Sequence, residues 1–100
     1  MANVTQYNVI FHGTEDGYLG RRAQINLFDG TTFLGGVQFH DAGMPFPNDS
    51  QHGGQISMHL PSSMLENVLD VLRNEEPIAF WFLNTHAFLG TDNEPTGEAE

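Results

Sequence analysis

Apolar and polar residues alternate along four segments of the chain, and this pattern predicts the strands of a half-buried sheet. One set of alternate positions is apolar: Tyr7, Val9, Phe11, Ala23, Ile25, Leu27, Phe33, Val37, Phe39, Ile56, Met58 and Leu60. The positions between them are polar: Gln6, Asn8, His12, Arg22, Gln24, Asn26, Gln38, His40, Ser57 and His59. Because successive side chains of a strand point to opposite faces, we expect one face to pack on the core and the other to be polar.

The predicted polar face has an unusual composition. Instead of the lysine, glutamate and threonine of an ordinary solvent face, it carries amides, imidazoles and a single guanidinium. Amides and imidazoles donate and accept hydrogen bonds, and their burial costs less than the burial of a charge. This composition favours a contact surface, although it does not identify what the surface contacts.

The pattern predicts an α+β fold with one α-helix and a mostly antiparallel sheet of five or six strands, either open or curled into a roll or barrel. The chain is short enough for one modest core, so residues 1–90 are expected to form one domain. A mobile acidic tail is expected at 91–100. We expect strands at 4–12, 21–28, 31–40, 55–60, 78–83 and 86–90, a long irregular segment at 41–54, and a helix at 63–74.

The turn between the second and third predicted strands has two possible registers. A two-residue loop at Asp29-Gly30 would divide the apolar residues between the two faces of the sheet. A three-residue loop at 28–30 would pair Leu27 with Thr31 and would keep the apolar residues on one face. We therefore expect the longer loop, with Gly30 at a positive φ in a bulge.

The predicted helix has a capping box, since Ser63 precedes Glu66 by three residues. Pro77 prevents the helix from continuing, and Arg73 suits its last turn. The residues at helical spacing that we expect to pack on the sheet are Leu65, Val68, Leu69 and Leu72.

The segment 78–83 (IAFWFL) is apolar on both faces, and a single helix can cover only one of them. An exposed apolar face is unusual in a monomer. The chain also has no lysine, a residue that commonly protects sheet edges from pairing. We therefore expect self-association, as a homodimer, through the face that bears Trp81. The second sheet face and the loop containing Met44 and Phe46 would contribute contacts. The alternative is that the segment 41–54 or the tail covers Trp81 within one chain.

Charge restricts the possible partners. The formal net charge is −10 at pH 7, with thirteen acidic residues and three arginines. Direct binding to nucleic acid or to an anionic membrane is not expected, because both require a basic surface. A protein or a small polar ligand remains possible, and so does a role as an acidic inhibitor, or nucleic-acid mimic, that binds a basic protein surface.

Cysteine is absent, and no secretory signal or membrane-spanning run is visible. We expect a cytoplasmic protein.

Few residues suggest chemistry. His12, His40 and His59 share the polar face by parity and are weak candidates for a metal site, although their spacing matches no known metal motif. Arg22 could hold an anionic ligand, or it could pair with one of the chain's own acids. No catalytic arrangement and no cofactor motif is recognised, so an enzyme is less expected than a binding protein. The candidate ligand or interface residues are Arg22, Gln24, Asn26, Gln38, His40, His59, Met44, Phe46 and Trp81.

Three segments, LRNEEPIAFWF (72–82), LGT (89–91) and EPTGEAE (94–100), resemble those of a group of small uncharacterised bacterial proteins. The resemblance implies a strand-rich first half, a leucine-rich helix and a patterned rather than random ending. It implies no activity, cofactor or catalytic residue.

Overall fold

A computed structural model of the chain describes residues 2–91. These residues form an α+β domain with one α-helix and mostly antiparallel strands, as the sequence predicts. The strands are β1 (Ala2–Val4), β2 (Gln6–Phe11), β3 (Ala23–Asp29), β4 (Thr32–His40), β5 (Ser50–His52), β6 (Gln55–Pro61), β7 (Ile78–Leu83) and β8 (His86–Thr91). A 3-10 turn at Ser62–Met64 leads into α1 (Leu65–Asn74). The predicted tail begins at Thr91, which closes β8, and its residues 92–100 lie outside the described residues.

The described strands divide into two open sheets. The larger has five strands in the order β2-β3-β4-β6-β5, and the smaller has three in the order β1-β7-β8. Neither sheet closes into a barrel. The predicted first strand breaks at Thr5, because Val4 pairs with Ile78 in the smaller sheet and Gln6 pairs with Phe28 in the larger. Thr5 holds the break in place: its amide donates to the Phe28 carbonyl at 2.8 Å, and its hydroxyl accepts from the Gly30 amide at 2.7 Å.

The strands β4 and β6 are parallel, with Val37 opposite Met58. Parallel neighbours require a crossover connection, and the segment 41–54 provides it. The sequence predicts this segment as irregular throughout, but its second half forms β5, which pairs antiparallel with the outer edge of β6. The first half remains free to fold over one end of the larger sheet.

The β3–β4 hairpin corrects the predicted register. Gly30 has the predicted positive φ, at 61°. However, Asp29 pairs with Thr32, so the loop has two residues rather than three. The bulge lies inside β4 instead, where Leu27 pairs with Gly35 and Phe28 pairs with Phe33. The prediction of Phe33 on the apolar face is therefore wrong. Its ring lies 5.5 Å from that of Phe28, on the polar face.

The predicted apolar side of α1 is confirmed, since Val68, Leu69 and Leu72 are buried and Leu65 packs against them. The predicted capping box is wrong: no side-chain hydrogen bond caps the helix. The 3-10 turn takes its place, because the Leu65 amide donates to the Ser62 carbonyl before the helix begins. Among the described residues, no helix combines the length and the apolar character that crossing a membrane requires.

Both sheets and the helix share one hydrophobic core. Its largest fully buried side chains are Phe39, Phe80, Ile25, Leu27 and Val37. The first three strands of the larger sheet direct alternate residues into this core, as the period-two pattern predicts. The other alternate residues therefore point away from the core, and the polar face of the larger sheet is open.

Candidate functional site

The polar face of the larger sheet carries a groove of about 210 Å³ above the centre of β4. Gly36 forms its floor, between Asn26 on β3 and Ser57 on β6. A Cβ atom at residue 36 would lie 2.6 Å from the Ile25 carbonyl oxygen, so a side chain does not fit there. The residues that line this groove are Gln24, Asn26, Phe33, Gly35, Gly36, Val37, Gln38, Gln55, Ile56 and Ser57.

A chain of side-chain hydrogen bonds fixes one wall of the groove. The Arg21 guanidinium donates to Gln24 Oε1 at 3.1 Å, and Gln24 Nε2 donates to Asn26 Oδ1 at 3.2 Å. Asn26 Nδ2 donates in turn to Asn8 Oδ1 at 3.0 Å. Each amide has two N–H donors and two oxygen lone pairs, so Gln24 and Asn26 retain hydrogen-bonding capacity in a defined orientation. Gln24, Asn26 and Gln38 were predicted from the sequence; the contribution of Arg21 and Asn8 was not.

Arg22, the predicted anion-binding residue, has an internal partner. Its Nε donates to Asp41 Oδ2 at 2.7 Å. Its remaining nitrogens donate to the carbonyls of His12 at 2.6 Å, Thr14 at 2.8 Å and Glu15 at 2.8 Å. These bonds use four of the five guanidinium donors, and they tie the turn after β2 to the end of β4.

The same ion pair stabilises a carboxylate. The pKa of Asp41 is lowered first by a hydrogen bond with the side chain of Ser62 and then by a hydrogen bond with Arg22. A predicted loop residue joins this arrangement, since Met44 Sδ accepts a hydrogen bond from the Asp41 amide at 3.2 Å. Arg22 and Met44 therefore organise the ends of two segments rather than facing the groove.

Two of the three predicted histidines meet on the polar face. The ring of His40 is buried, with Nδ1 2.6 Å from the Gly20 carbonyl oxygen and Nε2 2.9 Å from His59 Nδ1. The two rings stack at 5.1 Å between centroids. The third, His12, instead lies beside the ring of Tyr18, at 5.7 Å.

The partners of these rings define where their protons lie. A carbonyl can only accept, so His40 Nδ1 carries the proton that it shares with Gly20. The Nε2 of a neutral His40 then accepts from His59 Nδ1. Neutral His59 therefore has no proton on Nε2, and the lone pair of this atom can accept a hydrogen bond. The pKa of His59 is lowered first by burial and second by the repulsion that would arise if both His59 and His40 were protonated, which favours this neutral form.

A second depression, a cleft of about 490 Å³, opens beside His59. Asp49 holds it together: its Oδ1 accepts from the His59 amide at 2.9 Å, and its Oδ2 accepts from the Ala87 amide at 2.9 Å. This carboxylate thereby joins β6 of the larger sheet to β8 of the smaller. The residues that line the cleft are Phe46, Pro47, Asn48, Asp49, His59, Thr85 and His86. Of these, the sequence predicts only Phe46 and His59 as site residues.

Phe46 and Trp81, the remaining predicted site residues, lie on different surfaces. Phe46 is exposed, with its ring 5.1 Å from that of His40. Trp81 lies on the outer face of the smaller sheet, where it stacks on Phe88 at 5.4 Å with the two rings nearly parallel. The polar face and the Trp81 face, which the sequence places on one sheet, thus belong to two sheets.

A metal centre has no support in the geometry. Among residues 2–91, no group of three or more histidine, aspartate or glutamate side chains is arranged to hold a metal ion. His40 is committed to Gly20 and His59 through both ring nitrogens.

We predict that mild acid destabilises the protein through His59. The pKa of His59 is lower in the folded chain than its ordinary value of 6.5, with burial, His40 and Arg21 lowering it and Asp49 opposing them. Below about pH 6.5 the unfolded chain therefore binds more protons at this residue than the folded chain does. The free energy of unfolding should be at its full value above that pH and should fall as the pH is lowered towards the folded-state pKa.

Urea unfolding from neutral to mildly acidic pH measures this slope. The His59→Gln variant should show a flatter pH dependence than the wild type. His52→Gln, which changes an exposed histidine on β5, should leave the slope unchanged. An identical slope for His59→Gln and the wild type would contradict the prediction.

A comparison of the chain with protein-family models found no match, and comparisons with curated proteins and with solved structures found none either.

Proposed function

We propose that this protein is a non-enzymatic binding module that acts as a homodimer and takes a small uncharged polar ligand in the groove over Gly36. The observation that carries the proposal is the groove itself, whose polar side chains are all amides or hydroxyls and whose lining includes no charged side chain. An uncharged ligand with hydroxyl or amide groups can satisfy both the donors and the acceptors of such a lining.

The groove also offers an apolar contact. Phe33 lines the groove and is 39% exposed, and its ring lies 5.5 Å from that of Phe28. Aromatic rings beside well-placed polar groups are typical of small-molecule sites. Gln24 and Asn26 are held by the chain that begins at Arg21, so little rotamer entropy remains to be lost when a ligand binds.

The groove can be tested with N-acetylglucosamine, whose hydroxyl and acetamide groups are uncharged, by following the side-chain amide resonances of Gln24 and Asn26. We expect saturable shifts in these resonances. The Gln55→Ala variant, which changes an exposed residue of the groove, should weaken binding about fivefold or more, equivalent to about 1 kcal/mol. Gln51→Ala is the matched control, because Gln51 pairs with buried Ile56 and therefore lies on the other side of the sheet. Equal weakening by both variants would refute the assignment of the groove.

Self-association is proposed through the outer face of the smaller sheet. Trp81, Phe88 and Leu83 share this side, with Phe88 39% and Leu83 56% exposed. The segment 41–54, one of the two alternative covers, has its own aromatic residue, Phe46, against His40. The other alternative, the sequence 92–100 (DNEPTGEAE), offers no large apolar side chain that could be buried on Trp81. A second copy supplies matching aromatic surface, and two-fold pairing of like patches is the commonest oligomer geometry.

Sedimentation equilibrium at micromolar concentration tests the homodimer. The wild type should have twice the chain mass of 11.1 kDa. Trp81→Arg and Leu83→Lys should shift the mass to that of one chain, whereas Ile10→Lys, at an exposed apolar position on β2, should not. A wild-type mass of one chain over the whole concentration range would overturn the homodimer.

A further inference from the structure

We propose a second binding site, in the cleft beside His59, that takes a guanidinium group such as that of an arginine side chain. This site lies apart from the groove over Gly36 and does not depend on it. A carboxylate and two imidazoles are among the side chains that line the cleft, and no arginine or lysine lines it. A donor-rich cation is the complementary ligand.

The first acceptor is His59 Nε2. Two hydrogen bonds determine its lone pair. His40 Nδ1 donates to the Gly20 carbonyl, and His40 Nε2 accepts from His59 Nδ1. When both rings are neutral, Nδ1 of His59 donates to His40, so the Nε2 atom carries a lone pair and accepts.

His86 provides a second acceptor with the same polarity. Its Nδ1 lies 2.8 Å from the Asn84 carbonyl oxygen, so this nitrogen carries the proton and the lone pair is on Nε2. The β7–β8 turn that holds this arrangement is tight, with Asn84 at φ 52° and Thr85 at φ 66°. Two imidazoles on different sheets thus contribute acceptor atoms to one cleft.

Asp49 supplies the negative charge. Its two oxygens each accept one backbone amide, from His59 and from Ala87, and each carboxylate oxygen has a further lone pair. The carboxylate is therefore oriented before any ligand arrives. A bound cation would gain a charge-assisted hydrogen bond at this position.

The remaining wall favours guanidinium over ammonium or a metal ion. Phe46, which is 53% exposed, and Pro47 form an apolar wall beside the polar groups. A guanidinium is planar, stacks on aromatic rings and is less strongly hydrated than an ammonium. A metal ion lacks the ligands that it needs, since the described residues contain no three-residue group arranged around one. The chain's net charge of −10 also raises the local concentration of cations.

The experiment is a titration of the wild-type protein with arginine, lysine and citrulline, in which the imidazole resonances of His59 and His86 are followed. Citrulline has nearly the shape of arginine without its charge, so it isolates the contribution of the cation. Arginine should bind about tenfold or more tighter than citrulline, and tighter than lysine. A parallel titration with N-acetyl-arginine methylamide distinguishes the two sources of a guanidinium. Tighter binding of the blocked form indicates an arginine residue of a polypeptide, and tighter binding of arginine indicates the free amino acid.

Variants locate the binding. His86→Leu removes an acceptor at an exposed position and should weaken arginine binding about fivefold or more, which corresponds to one lost hydrogen bond. His52→Leu is the matched control at an exposed histidine of β5, outside the cleft, and should leave binding unchanged. Phe46→Leu should reduce the preference for arginine over lysine, because the ring is lost while an apolar side chain remains. Equal affinity for arginine and citrulline, or equal weakening by the His86 and His52 variants, would overturn the proposal.

Discussion

Replacing Gly35 by alanine should remove most or all of the stability of the folded chain. Gly35 has φ 120°, a conformation that side-chain-bearing residues rarely adopt, and it lies where β4 runs beside β6. An added Cβ would be 2.0 Å from the Ile56 carbonyl oxygen and 2.5 Å from the Ile56 nitrogen. These are backbone atoms of a paired strand, so they cannot rotate aside as a flexible side chain could. We expect a loss of about 4 kcal/mol or more, above the usual range for a point mutation.

Gly30→Ala is the matched control for this prediction. Gly30 also has a positive φ, at 61°, but an added Cβ there meets no atom within 4 Å. The substitution should therefore cost only the conformational strain, about 1–2 kcal/mol. Urea unfolding followed by circular dichroism measures both costs. Similar losses for the two alanine variants would show that the contact with Ile56 does not determine the effect.

Gly35 also explains why the sequence predicts the wrong register for the β3–β4 hairpin. Phe33 and Leu34 are both apolar, so the alternation on either side of them is compatible with an extra residue in the turn or in the strand. The sequence favours the extra residue in the turn because that register keeps the apolar residues on one face, and Gly30 does adopt the positive φ that was expected with it. The second requirement for a glycine, at residue 35, arises from β6, a strand that is remote in the sequence. Periodicity contains no information about that neighbour.

The alternation of apolar and polar residues also does not predict the division of the strands into two sheets. Segment 4–12 reads as one strand, yet Thr5 turns its first residues towards β7, which lies more than half the chain away. Alternation describes which side chains share a face, not which strands pair. The parallel pairing of β4 with β6 is a further example, because it depends on the path of the segment 41–54.

The sequence predicts only that part of the candidate site which depends on the alternation of side chains between the two faces of a strand. Parity placed Gln24 and Asn26 on one face and put His40 and His59 on that same polar face, where the structure brings each pair into contact. The sequence does not predict Asp49 and His86 as site residues, because neither belongs to a recognisable local motif. Asp49, which lines the cleft, accepts a hydrogen bond from the Ala87 amide across 38 positions of sequence, and local patterns do not predict such a contact.

Phe80→Ala should cause the second large loss of stability. Phe80 is 1% exposed and belongs to the core that both sheets share with the helix. Removing its ring leaves a cavity that the surrounding strands can fill only in part, because they are held by pairing on both sides of β7. Truncation of a buried phenylalanine costs about 3–5 kcal/mol. For a small domain, whose total stability is typically about 5–10 kcal/mol, this is a large fraction.

Phe88→Ala, on the neighbouring strand, separates burial from the mere presence of an aromatic ring. Phe88 is 39% exposed on the outer face, so its loss should cost about 1 kcal/mol, mainly the stacking with Trp81. Because Phe88 lies on the proposed dimer face, both variants are best compared in the Leu83→Lys background, where the chain is expected to be monomeric and the stacking partner Trp81 is retained. Amide hydrogen exchange identifies the strands that lose stability in the Phe80→Ala variant. Since Phe80 belongs to the shared core, its replacement should lower protection in both sheets together. A loss of protection confined to β1, β7 and β8 would mean that the smaller sheet unfolds separately and that the core is not one cooperative unit.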